Sequence, residues 1–132
     1  MPFVAVADFS SIPTGQGLRV VLDPKSGAPL SDAERAEQEG LAIGLYRDGD
    51  QVYAMEDACP HAGFPLSRGS FERCVIVCEA HGWPFDVRTG FDPENADGFP
   101  VPCFAARVIA DQVEVDLETQ INDPRANYQK GS

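Results

Sequence analysis

Cys59-Pro60-His61-Ala62-Gly63-Phe64-Pro65-Leu66 and Cys78-Glu79-Ala80-His81-Gly82-Trp83-Pro84-Phe85 decide how this chain is read. Together they place two thiolates and two imidazoles within 23 residues, and they use the only two histidines of the chain. Soft sulfur and borderline nitrogen donors in equal number suit a metal or iron–sulfur centre whose two metal positions differ in ligands. Each pair falls at a break between strand-like runs, where loop tips can aim side chains at one point. Pro60 stiffens the first arch. Phe64, Pro65, Trp83 and Pro84 are candidates to cover the centre and to meet a partner.

Outward from these loops the pattern is one of short apolar or period-two runs separated by turn residues. Phe3–Ala7 and Leu18–Leu22 read as strands. Leu41–Arg47 and Gln51–Met55 read as a hairpin turning at Asp48-Gly49 or Gly49-Asp50. Phe71–Val77 leads into the second Cys/His pair, and Trp83–Val87 leads away to a Thr89-Gly90 turn. Phe104–Ala110 and Gln112–Leu117 form a last hairpin. Many short strands with little helical periodicity predict an all-β, antiparallel β-sandwich or partly open barrel. Between the second and third strands, Asp23–Gly40 reads as a surface insertion. Ser31 and Glu34 have capping-box spacing, predicting a short helix over Ala33–Glu39 that Gly40 stops. Phe91–Phe99 is an acidic loop, the residues from Glu118 onward a polar tail, and no internal repeat is evident.

At 132 residues the chain has room for one domain. Its formal charge of −11 argues against nucleic-acid binding and suits steering towards a basic partner. No apolar run approaches the roughly 20 residues of a membrane span. The start, Met1-Pro2-Phe3-Val4-Ala5, lacks the features of a signal peptide, so a cytoplasmic location is expected. Cys74 and Cys103 then remain as thiols, read as small buried hydrophobes in strands. On donors alone, a Cys2His2 zinc site that stabilises an interaction domain stays open. Copper and a Cys–His catalytic dyad explain the duplicated pair less well.

The stretch from Cys59 to Gly90, with its spacing, loop residues and aromatic strand after the second pair, resembles the Rieske iron–sulfur proteins. The resemblance implies one [2Fe-2S] cluster, with Cys59 and Cys78 on the inner iron and His61 and His81 on the outer iron through Nδ1. It further implies a Rieske-type domain over residues 1–118, with a cluster-binding subdomain at about 57–90, the insertion at 23–40 and a tail at 119–132. Pro100-Val101-Pro102 resembles the proline loop that covers the cluster, which adds Pro102 to the cover residues. Respiratory members carry a disulfide where this chain has Phe64 and Ala80. They also carry Ser and Tyr hydroxyls where it has Trp83 and Phe85. Fewer donors to the cluster imply a low potential.

With no histidine left for a mononuclear iron site and no Rossmann glycine pattern, the chain resembles a non-catalytic electron carrier. The implied partners are a flavin-dependent reductase and a terminal iron oxygenase, with aromatic oxidation as the setting. The small subunit of an NAD(P)H-dependent nitrite reductase, bound to a sirohaem-bearing large subunit, is the alternative. No nucleic-acid or membrane partner is expected.

Overall fold

A computed structural model describes residues 3–60, 63–80, 82–94 and 100–122. Among these residues nine strands and one α-helix follow in chain order: β1 (Val4–Asp8), β2 (Leu18–Leu22), α1 (Asp32–Glu37), β3 (Leu41–Asp48), β4 (Gln51–Glu56), β5 (Ser70–Glu72), β6 (Val75–Val77), β7 (Pro84–Asp86), β8 (Cys103–Ile109) and β9 (Gln112–Gln120). Six form an antiparallel sheet in the order β1-β9-β8-β4-β3-β2, and β5-β6-β7 form a second, smaller one. The edge strands β1 and β2 come together, so the large sheet curls into a partly open barrel. No described helix is long and apolar enough to cross a membrane.

The continuous apolar run at Leu41–Tyr46 has a physical reason. One face of β3 and β4 sends Ile43, Leu45, Val52 and Ala54 into the barrel, beside Leu22, Val113 and Val115. The other face sends Tyr46 and Met55 into a second core with Phe71, Ile76, Phe85, Cys59 and Cys78. A hairpin covered on both sides needs apolar residues at successive positions. It is therefore the shared wall on which the small sheet is mounted.

The expected strands at the barrel agree with the structure to within a residue or two, except at the chain's end. β9 continues past Leu117 to Gln120, and Asn122 is buried, so the polar stretch after Glu118 belongs to the fold as far as Asn122. Residues 123–132 of the expected tail lie outside the described residues. Phe71–Val77 is not one strand. It is a hairpin turning on Arg73-Cys74, both at positive φ (54° and 66°). This mirror-image turn ordinarily takes Asn-Gly, so the local sequence carried no signal for it. Long-range bonds hold it instead: the Cys74 thiol donates to Asp48 Oδ2 at 3.2 Å, and the Cys74 carbonyl accepts the Val87 N–H at 2.9 Å. Cys74 thus sits in a turn, whereas Cys103 lies in β8 as expected.

The insertion carries its capping box, with Ser31 Oγ accepting the Glu34 N–H at 3.2 Å and Glu34 Oε1 accepting the Ser31 N–H at 3.0 Å. Its helix ends at Glu37, before Gly40, and buries no residue. The segment before the helix does more than cross solvent. Leu30 donates its N–H to the Val21 carbonyl at 2.9 Å and Pro29 bridges Leu22, so this segment pairs with the outer edge of β2.

Candidate metal centre

Cys59 follows β4, and Cys78 lies between β6 and β7. Both are buried, at 2% and 0% exposure. None of the four cysteines forms a disulfide. The two loops are held by the same pair of backbone hydrogen bonds. Cys59 donates its N–H to the Phe64 carbonyl and accepts from Gly63, each at 2.8 Å; Cys78 donates to the Trp83 carbonyl and accepts from Gly82, again at 2.8 Å. Gly63 and Gly82 take left-handed φ of 73° and 68°, which lets the chain turn back within five residues.

The described ends of the two loops therefore match, and the sequence does contain a short repeat. Aligned on the cysteines, both read Cys-x-x-x-Gly-aromatic-Pro: Cys59 to Gly63-Phe64-Pro65, and Cys78 to Gly82-Trp83-Pro84. The Cys/His pairing conceals it, because the histidine is two residues after one cysteine and three after the other. Phe64 and Trp83 occupy equivalent positions and are exposed, at 50% and 41%. Pro65 and Pro84 are half-buried, and Phe85 belongs to the core. Pro102 is half-buried too, its carbonyl accepting the Glu56 N–H at 2.8 Å. A groove lined by Phe64, Pro65, Arg68, Glu79 and Ala80 separates the two loops. His61 and His81 lie outside the described residues. Among the described residues no set of three or more His, Cys, Asp or Glu converges as a metal site, so of the four donors expected from the sequence only the buried pair Cys59 and Cys78 is described.

Sequence reasoning missed what anchors the first loop. The buried Asp57 carboxylate accepts the Ser67 N–H on Oδ1 at 2.7 Å; its Oδ2 accepts the Ser67 hydroxyl at 2.6 Å and Arg19 Nη1 at 2.9 Å. Asp57 precedes Cys59 by two residues and Ser67 follows the Phe64-Pro65-Leu66 turn, so the carboxylate closes the loop at its base. An acid near a cysteine is common, and nothing local announces that Arg19 from β2 will reach it. In the core beneath, the Tyr46 hydroxyl is buried without a hydrogen-bond partner among the described residues. Burial, reinforced by the Asp57 charge, pushes its pKa well above the ordinary tyrosine value, so the phenol stays neutral.

A family model described as the Rieske [2Fe-2S] domain matches residues 11–104. The chain belongs to this family. Ferredoxin CarAc of Metapseudomonas resinovorans is 38% identical to this Rieske chain over 82 residues, covering 61% of it and 77% of that protein. The ferredoxin subunit of anthranilate 1,2-dioxygenase from Burkholderia cepacia is 35% identical over 75 residues, covering 57% and 69%. Among solved structures, a chain in the complex of reduced oxygenase and oxidised ferredoxin of carbazole 1,9a-dioxygenase superposes with a TM-score of 0.68 at 28% identity. It covers 91% of this chain and 97% of its own. An NADH-dependent nitrite reductase small subunit from Mycobacterium tuberculosis shares the fold at 21% identity, with a TM-score of 0.63, covering 86% and 92%.

The Rieske cofactor is one [2Fe-2S] cluster, which removes zinc as the account of the donor set. The residues present fit it. Two buried cysteines without a disulfide, set in one core, could supply the sulfur half of a two-thiolate, two-imidazole site.

Proposed function

We propose that this Rieske protein is a one-electron carrier between a flavin-dependent reductase and a terminal iron oxygenase in the oxidation of aromatic compounds. Cys59 and Cys78 would hold the cluster from the buried side, and His61 and His81 from the outer side. When bound, the cluster supplies a one-electron couple. The observation that carries the proposal is the pair of exposed aromatic side chains, Phe64 and Trp83, at equivalent positions of the loops that bear the two thiols. They offer a small apolar contact beside the redox site, as a transient complex needs. The formal charge of −11 favours fast encounter with a basic partner at low ionic strength.

Phe64 and Ala80 leave no disulfide across the loops, and Trp83 and Phe85 offer no hydroxyl donors there, which supports a low potential. The relatives at 35–38% identity are named as ferredoxins, whereas the nitrite reductase likeness, at 21%, speaks for the fold alone. A cytoplasmic setting fits a carrier whose four cysteines form no disulfide. The test is reconstitution: purified holoprotein should be reduced by a flavin-dependent reductase and restore turnover of a ring-hydroxylating oxygenase. Failure to be reduced, together with co-purification with a sirohaem subunit, overturns it.

A further inference from the structure

One carboxamide joins three segments that lie far apart in the sequence. Asn122 Oδ1 accepts the Cys103 N–H at 2.9 Å, and Asn122 Nδ2 donates to the carbonyls of Thr89 and Val101, each at 2.8 Å. Gln120 Nε2 adds a bond to Oδ1 at 3.3 Å. Both donors and both acceptor positions of the amide are thereby used, and the residue is buried. Thr89 lies in the turn that leaves the small sheet, Val101 stands between two prolines, and Cys103 begins β8.

The packing around this carboxamide has no slack. Val101 donates its N–H to the Gly90 carbonyl at 2.8 Å. Cys103 Sγ lies 3.6 Å from the carbonyl oxygens of both Val87 and Val101. A Cβ added to Gly90 would land on the Val101 carbonyl and on Asn122 Nδ2. Val101 is itself part of the core that contains Cys59 and Cys78.

We infer that Asn122 is a positioning residue for the redox site, locking the Pro100–Pro102 segment to the exit of the ligand-bearing hairpin and so fixing one wall of the core that holds Cys59 and Cys78. The inference rests on those thiols being the cluster's inner ligands. Asn122 lies beyond residues 11–104, the part of the chain matched by the family model. Reduction adds one negative charge at the site, and a tight apolar wall leaves that charge poorly solvated. Without the carboxamide, one N–H and two carbonyls lose their buried partner, the wall opens, and water stabilises the reduced state.

The experiment compares holoprotein carrying Asn122→Ala with the wild type by redox titration, by electron-spin resonance after dithionite reduction, by bleaching in a chelator and by thermal unfolding. The expected result is a higher midpoint potential with shifted g values and about tenfold faster bleaching. Unchanged potential, g values and bleaching beside a lowered unfolding temperature overturn the inference, because Asn122 then only holds the fold. If the alanine protein is not recovered folded, Asn122→Ser takes its place. Serine leaves a polar hydroxyl in the cavity but ends one bond short of the carboxamide and loses its carbonyl contacts, and the same two outcomes decide. A wild type without a visible iron–sulfur spectrum would instead overturn the ligand assignment, an outcome distinct from an unshifted potential.

Discussion

Asp57 and Ser67 close the base of the Cys59 loop through two hydrogen bonds, from the Ser67 N–H at 2.7 Å and from its hydroxyl at 2.6 Å. The carboxylate is buried, and its third partner is Arg19. Truncating Asp57 therefore strips an acceptor from two Ser67 donors and the counter-charge from Arg19. Asp57→Ala is expected to cost about 3 kcal/mol, while Ser67→Ala, which leaves the ion pair standing, should cost about 1 kcal/mol. Urea denaturation followed by Trp83 fluorescence measures both. Equal losses would show that the Arg19 pair contributes nothing.

Two glycines of the loops separate backbone conformation from space. At Gly63, φ is +73° and no atom of the described residues lies within 4 Å of an added Cβ, so the left-handed backbone sets the expected cost of Gly63→Ala, about 1 kcal/mol. At Gly69 the backbone is ordinary, but a Cβ would land on the Val77 carbonyl oxygen of β6, which cannot swing aside. Gly69→Ala should cost about 3 kcal/mol and loosen the small sheet. Thermal unfolding of the two variants tests the ranking, and a milder effect at Gly69 contradicts it.

If Phe64 and Trp83 form the contact for redox partners, their truncation should slow transfer and leave the site intact. Trp83→Ala and Phe64→Ala are each expected to reduce the second-order rate with reductase or oxygenase about tenfold, at unchanged iron and sulfide content. Stopped-flow reduction reads the first quantity and chemical analysis the second. Unaltered kinetics at full occupancy would place the contact elsewhere.

The midpoint potential should lie near the low end of the Rieske range, about −150 mV, because positions 83 and 85 carry no hydroxyl. Phe85→Tyr, in the buried core beside Cys78, should raise it by supplying one donor. Spectroelectrochemical titration decides, and a wild-type value in the respiratory range contradicts the account.

Stability should fall at alkaline pH. Burial pushes the Cys103 thiol up to about 12; burial, with the bond to Asp48, pushes Cys74 up to about 11. Both exceed the unfolded value of about 8.5. Their contribution is thus complete below that value and is lost as pH rises through 11 to 12. Native protein should leave both thiols unalkylated near neutral pH, as mass spectrometry would reveal. Its unfolding temperature should drop more steeply above about pH 9 than that of Cys74→Ala, Cys103→Ala protein. Matching pH profiles would dismiss this origin.

The sequence alone determined the all-β class, the hairpin at Leu41–Met55, the capping box at Ser31–Glu34 and the turns at the two cysteines, because each depends on residues near one another in the chain. Period-two patterning, turn chemistry and ligand spacing are local properties. Tertiary structure alone decided the turn at Arg73-Cys74, which has no local signal and is held by Asp48 and Val87. It also joined Arg19 to Asp57, and placed Asn122 against Thr89, Val101 and Cys103. Those side chains must satisfy buried polar groups, and which groups become buried together is settled only when the curled sheet and the small sheet close around their shared hairpin.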